Sequence, residues 1–451
     1  MSSGPTDQVV RIVAIVRPYW QPVDRIVVRP GDALAGTIRV GGAKNSVLKL
    51  MAAAILADGA CELTNVPDIA DVPIMRDLLE AMGLRIEIHH GGRGVADVLE
   101  PASLLIERPE KIVPEPPPEL VAKIRASIVV LGPLLARCGE AHVAMPGGDD
   151  FGDRPIDMHL KGLEALGASF EVGDGYLHAR ADRLRGTAIT LPFPSVGATE
   201  NIVMGAVHAD GTTVLDNAAR EPEIGDLCAF LNAMGAEVEG AGSPTIVVHG
   251  VEPGSLRPAN HRVVPDRVEA ATYLAAVGVA GGELVLVDAR AAHMGMLMAK
   301  LTDMGMTIDD TGDGLIAKAP AALRSVDIAA LPYPGVATDY VPIVTAMLCV
   351  AEGVGIVTEN LFSGRFRYVD ELCRLGAQIR TESHHAVVRG CRRLTGAPVR
   401  AHDIRAGASL VVAGLAADGA TEIAGANHID RGYEDIVGKL RAVGADIERA
   451  D

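Results

Sequence analysis

Lys44 and Asn45 follow the pair Gly41-Gly42 and open a segment, 46–57, whose apolar residues Val47, Leu50, Met51 and Ile55 share one helical face. A lysine at a helix start behind a glycine turn suits an anion, because the dipole, the free N–H groups and the ammonium all point the same way. An exposed lysine on a helix start reads the same from this segment alone. The spacing is not that of a P-loop, which requires GxxxxGK and then Ser or Thr. Arg125 and Arg405 each stand just ahead of a strongly apolar run. Burying an arginine demands an anionic partner, which a ligand or an internal ion pair can supply. Between glycines, Asp149, Asp150 and Asp153 crowd one loop that ends in Arg154. Like charges that close raise at least one carboxyl pKa and favour a proton donor near neutral pH. A calcium loop would alternate its acids and close on Glu, which this one does not.

These residues sit in a repeat. A helix-like run ending in glycine and then a short strand recurs six times, with marker glycines Gly83, Gly167, Gly235, Gly305, Gly376 and Gly444 spaced 68 to 84 residues apart. Each glycine falls where a helix end wants a left-handed residue, and the residues after it alternate apolar and polar. A second marker precedes each of these: a small-residue turn, a strand and a loop. The loops carry charged groups, as in Arg220-Glu221-Pro222-Glu223, Ser363-Gly364-Arg365-Phe366-Arg367 and His428-Ile429-Asp430-Arg431. Equivalent loops of repeated units can converge on one site. Units of about 70 residues exceed the usual solenoid repeat and are large enough to be small α/β subdomains, so six of them predict two lobes of three with a cleft between.

The 451 residues carry 41 basic and 58 acidic side chains, a formal charge of −17, which argues against a nucleic acid or an anionic membrane surface as the main partner. Apolar runs such as 128–136 and 410–417 are too short to span a bilayer, and the run 9–16 carries an arginine without a cleavage site, so a cytoplasmic protein is expected. Six cysteines lack metal-ligand spacing, and the pairs His89-His90 and His384-His385 read as surface residues.

The motifs GGAKNS (41–46), IRASIVVLGPL (124–134), PSVGATEN (194–201), NAAREPEI (217–224), ATDY (337–340), GRFRYVDEL (364–372), DIRAGASLV (403–411) and HIDRGYE (428–434) together resemble the enolpyruvyl transferases, the EPSP synthase-like superfamily, over about 27–449. Within it the likeness is greatest to the branch that acts on UDP-N-acetylglucosamine. The resemblance implies an α/β fold, a two-lobed inside-out barrel of six βαβαββ units. It implies an N-terminal extension over 1–23, a C-terminal lobe from 24–43 plus 265–451, and an N-terminal lobe from 44–264 that carries the catalytic loop. The implied reaction moves the enolpyruvyl group of phosphoenolpyruvate to the 3-hydroxyl of UDP-N-acetylglucosamine and releases phosphate, the first committed step of peptidoglycan synthesis. The partners are then small molecules, with no metal or redox cofactor.

By the same resemblance, Lys44, Arg125, Arg154, Arg365, Arg405 and Arg431 grip phosphoenolpyruvate in a strongly positive cleft. The uridine diphosphate meets Arg154, Pro155, Ile156, Asp157 and Met158 and the turn Ser195, Val196, Gly197. The amino sugar meets Asn45, Asp339 and Leu361. Asp149 is assigned as the acid that protonates the methylene carbon, and Asp339 as the base for the sugar hydroxyl, with Lys44 and Arg431 beside them. Many members carry cysteine at the place of Asp149, and fosfomycin alkylates that thiol; a carboxylate is a poorer nucleophile, so resistance is expected. Around Asp339 the family usually reads Phe-Pro-Thr-Asp-(Met/Leu)-Gln, against Val336-Ala337-Thr338-Asp339-Tyr340-Val341 here. A tyrosine and the loss of the proline, at Ala337, on a loop that faces the acceptor suggest an altered acceptor choice. That keeps a paralogue acting on the 3′-hydroxyl of uridine monophosphate as an alternative, and a non-catalytic UDP-sugar-binding regulator as a remote one.

Overall fold

The computed structural model describes residues 25–91, 102–148 and 155–450. The third repeat shows the unit complete. Strands Ala188–Thr190 and Thr212–Asp216 run parallel, joined by the helix Val196–Ala206; after the helix Pro222–Ala233, strands Glu237–Glu239 and Thr245–His249 form a hairpin that returns antiparallel onto Thr212–Asp216. Five four-stranded sheets share this order. The six marker glycines all have φ between 88° and 103°, a region that strains any residue with a Cβ. Each stops a helix and launches the next strand.

The second repeat departs from this plan. Its sheet has three described strands, Glu140–Ala144, Tyr176–Arg180 and Ser169–Gly173. Where the parallel edge strand stands elsewhere, the run Pro114-Glu115-Pro116-Pro117-Pro118 passes, and the Pro114 carbonyl accepts from His142 N at 2.8 Å. Proline has no N–H to continue a ladder, so the edge is covered without being extended.

Two hydrophobic cores result, one from residues within 47–263 and one from 26–40 together with 268–447. Each is built on helices that are buried almost all round, such as Val196–Ala206 in the first and Arg267–Ala280 and Ile404–Leu415 in the second, with sheets outside them. This is the inside-out arrangement. The chain passes between the cores twice. Strands Arg25–Arg29 and Leu34–Arg39 complete sheets of the second core, pairing with Thr421–Ala424, Asp446–Ala450 and Gly282–Val287, while strand Asn260–Arg262 runs parallel to Ala60–Val66 of the first. The two crossings are stitched together: Ala43 N donates to Val264 O at 2.7 Å, and Asp266 N to Gly41 O at 2.8 Å. Gly42 between them has no room for a side chain, since a Cβ would lie 1.8 Å from the Asn65 carbonyl.

Two helix expectations need adjustment. The apolar-striped segment forms a helix over Lys44–Ala53 and then tightens into a 3₁₀ turn, Ala54–Leu56. Arg125 opens a 3₁₀ segment, Arg125–Val130, and the α-helix Leu131–Cys138 starts only after it. No helix among the described residues is long and apolar enough to cross a membrane.

Candidate active site

A cavity of about 490 Å³ opens where the two lobes face each other. It gathers Lys44, Asn45, Arg125, Pro155, Met158, Ser195, Val196 and Gly197 from the first lobe and Asp339, Leu361, Arg365, Arg405 and Arg431 from the second. Ile156 is buried in the first core instead, and Asp157 turns outward to Lys161 at 3.2 Å. Asp149 and Arg154 lie outside the described residues.

The helix start at Lys44 is not a vacant anion hole. Lys44 N donates to Asp266 Oδ2 at 3.1 Å, and the N–H groups of Ser46 and Val47 bond to the Ala43 carbonyl. The ammonium, which an anion at this helix start would also use, already meets Asp71 Oδ2 at 3.0 Å. Arg431, from the other lobe, donates to Asp71 Oδ1 at 2.9 Å and Oδ2 at 3.4 Å. Burial opposes ionisation of Asp71, but Lys44 and Arg431 outweigh it and hold the carboxyl below its ordinary range. Asp71 was not singled out from the sequence; its position at the start of the helix Asp71–Ala81 was the available signal.

The second group repeats the pattern with other residues. Asp339 Oδ1 accepts from Arg365 at 3.0 Å and Oδ2 from Arg405 Nε at 3.2 Å. Burial again disfavours the charge, and Arg405, Arg365, Arg267 and Lys44 reverse the sign, leaving the Asp339 carboxyl far below the usual carboxylate range. The sequence accounts for each placement. Asp403 caps the helix Ile404–Leu415 by accepting from Arg405 N at 2.8 Å and Ala406 N at 2.9 Å, which aims Arg405 inward over the Tyr433 ring at 5.4 Å. Glu359 accepts from Thr338 Oγ1 at 2.7 Å and Leu361 N at 2.8 Å, fixing the Asp339 turn and Leu361 together.

Among the described residues, seven lysines and arginines line the cavity with six carboxylates, so its cations are largely paired. Besides Asp71, the carboxylates that sequence reading left unassigned to the cleft are Glu200, Glu221, Glu223 and Asp403. Glu200, buried without a hydrogen bond, is pushed up to about 7 by desolvation, against the pull of Lys49 at 3.7 Å. His159, buried beside the Ser195–Gly197 turn, is held neutral: desolvation first and Arg125 second bring its pKa down to about 4. Asn201 fixes its tautomer. The Asn201 Oδ1 accepts from Gly132 N at 2.8 Å, so its Nδ2 donates to Ile128 O and to His159 Nδ1, and the imidazole proton sits on Nε2.

A model of the family described as EPSP synthase (3-phosphoshikimate 1-carboxyvinyltransferase) matches residues 28–440. The chain belongs to the EPSP synthase family. Among curated relatives of this enolpyruvyl transferase family, the UDP-N-acetylglucosamine 1-carboxyvinyltransferase of Mycolicibacterium paratuberculosis is 48% identical over 428 residues, 95% of this chain and 100% of that one. The protein of the same name from Mycobacterium leprae is 48% identical over 426 residues, 94% of this chain and 99% of that one. Of solved structures, the enolpyruvyl transferase NikO from Streptomyces tendae aligns with a TM-score of 0.83 at 27% identity, covering 95% of this chain and 99% of that chain. An EPSP synthase from Acinetobacter baumannii aligns with a TM-score of 0.71 at 19% identity, covering 95% and 100%, a likeness of fold.

Tyr340, the departure from the family's usual residue, does not face the acceptor side of the cleft. It is 2% exposed and its hydroxyl accepts from Arg267 at 3.2 Å, so it is a packing and hydrogen-bonding residue behind Asp339. The basis for an altered acceptor choice at this position falls away.

Proposed function

We propose that this protein transfers the enolpyruvyl group of phosphoenolpyruvate to the 3-hydroxyl of UDP-N-acetylglucosamine, with release of phosphate, in the cytoplasm. The observation that carries the reading is the pair of carboxylate-bridged cation clusters, Lys44–Asp71–Arg431 and Arg365–Asp339–Arg405, facing each other across one cavity. Phosphoenolpyruvate has two anionic ends, a carboxylate and a phosphate, and each cluster offers charge-assisted donors for one of them. Arg125 adds a fifth cation at the wall.

The same geometry supports one order of events. While both arginines hold Asp339, its carboxylate is ionised but too weak a base for a sugar hydroxyl. An incoming anion draws Arg365 and Arg405 away, and the half-buried carboxylate, losing that compensation, becomes more basic. Asp339 then takes the hydroxyl proton as the oxygen attacks the second carbon of the enol, and an acid, assigned by resemblance to Asp149, protonates the methylene carbon. The tetrahedral adduct returns a proton from its new methyl group to the carboxylate assigned to Asp149 as phosphate departs, the leaving charge being met by Lys44 and Arg431, and the proton taken by Asp339 leaves with the phosphate. The proton and charge transfers close without a metal or redox cofactor. The Ser195–Gly197 turn opens the helix Val196–Ala206, and its leading N–H groups suit the diphosphate of the acceptor.

Identity of 48% to named UDP-N-acetylglucosamine enzymes, against 27% to NikO, favours that acceptor over a nucleotide of another class. Phosphate release from phosphoenolpyruvate, measured with UDP-N-acetylglucosamine or with uridine monophosphate, tests the reading. Turnover with the sugar nucleotide is expected. Turnover with uridine monophosphate alone transfers the protein to the paralogous activity, and turnover with neither removes the transferase reading.

A further inference from the structure

Arg267 is nearly fully buried at the start of the helix Arg267–Ala280, immediately after the second crossing between lobes. Its Nε donates to Glu223 Oε1 at 3.0 Å and Oε2 at 3.3 Å, and its other arm donates to the Tyr340 hydroxyl at 3.2 Å. Glu223 stands in the first turn of the helix Pro222–Ala233 of the first lobe, and Tyr340 ends the 3₁₀ turn Thr338–Tyr340 of the second. A buried chain, Tyr340–Arg267–Glu223, therefore joins the turn that carries Asp339 to the opposite lobe. A second contact braces it: Arg220 donates to the Tyr333 carbonyl at 3.1 Å.

We propose that Tyr340 is a positioning residue for Asp339, which through Arg267 and Glu223 makes the placement of that carboxylate depend on the lobes being together. The inference rests on the role given to Asp339 above. A buried guanidinium needs an anion, and with the lobes together it has Glu223. When they part, or when Tyr340 no longer holds it, the nearby candidate is Asp339, on whose charge Arg267 already bears. An arginine added to Asp339 competes with the acceptor hydroxyl and weakens the base. Closure, by returning Arg267 to Glu223, frees it.

The test uses the full chain as Tyr340→Phe, Glu223→Gln and the double variant, assayed for phosphate release with phosphoenolpyruvate and UDP-N-acetylglucosamine. Each single change is expected to lower kcat about tenfold while the KM for phosphoenolpyruvate stays within about twofold. The acid limb of the kcat profile should move to lower pH, the sign expected when a carboxylate gains a cation. The double variant should be no worse than the poorer single one, because both break one chain. Tyr340→Phe removes one hydroxyl and keeps the ring, so it carries the test even where Glu223→Gln does not fold. Wild-type kcat and pH profile in Tyr340→Phe, or losses that multiply in the double variant, overturn the proposal. Wild-type protein inactive on both uridine acceptors overturns the activity itself, which is a separate result.

Discussion

Asp71 and Asp339 each sit between two cations, the place that the proposed reaction gives to a substrate anion. This view of Asp71 has a measurable consequence. Asp71→Asn removes the buried partner of Lys44 and Arg431 and should cost about 3 kcal/mol of stability at neutral pH. Phosphate or phosphoenolpyruvate should then raise the melting temperature more than in the wild type, because the anion restores what was lost. An equal response in the two proteins would count against the place-holder role. Glu200 gives the opposite sign. Its folded pKa, about 7, lies above the unfolded value of 4.5, so the folded state keeps a proton that the unfolded state releases, and stability falls as pH rises between those values. Glu200→Gln should therefore stabilise the protein at pH 8 by up to about 3 kcal/mol and change little at pH 4, as followed by denaturant unfolding at both. For Asp149, time-dependent inactivation by fosfomycin should be absent in the wild type and appear in Asp149→Cys. Five cations of the site, Lys44, Arg125, Arg365, Arg405 and Arg431, were legible in the sequence because each stands in a distinctive motif or ahead of an apolar run, whereas Lys49 and Arg267 carry no such signal. Their carboxylate partners were not, since Asp71 and Glu200 come from helix faces that only the packing of the lobes turns inward.

At the scale of elements, the repeat was visible because one residue type does one backbone job six times. Gly83 and its five counterparts are needed for a positive φ, and composition cannot disguise that. The strands after them and before them fell where alternation placed them. What spacing did not reveal was the conformation of Arg125, whose segment looks like any helix start in one dimension. The 3₁₀ form there follows from packing against the Lys44–Ala53 and Val196–Ala206 helices, a tertiary influence. Nor did periodicity show that the second repeat replaces a strand by prolines, although the prolines themselves exclude a central strand. The crossing offers a direct test of a constrained element. Gly42→Ala sets a Cβ against the Asn65 carbonyl and should cost about 1 to 3 kcal/mol, read by chemical denaturation. Gly235→Ala, where nothing lies within 4 Å of the new carbon, should cost only its backbone strain. Equal losses at the two positions would mean that the close approach at Gly42 is not the constraint.

For the whole molecule, the net charge of −17 turns out to say little about the cleft, where cations and carboxylates nearly balance. On the proposed reading, affinity for an anion comes from exchange within prearranged pairs, which works locally against the repulsion of an acidic surface. The lobes are also not consecutive stretches of chain. Strands 25–29 and 34–39 belong to sheets whose other members lie beyond residue 281, and strand 260–262 completes the sheet that begins at residue 60. During synthesis the second strand must leave the ribosome about 240 residues, and the first about 390 residues, before their neighbours exist, and at a few to twenty residues per second they wait for at least ten seconds or so. Their apolar residues, Ile26, Val28, Leu34 and Ile38, are fully buried in the finished protein and have no core to enter in that interval. The lobe formed by 44–264 needs only its last strand to be released before it can close. A fragment ending at residue 264 should thus yield a cooperatively unfolding product, whereas one ending at residue 255, before that strand, should not. The protein is accordingly assembled from its middle outward, with its beginning held in reserve until its end arrives.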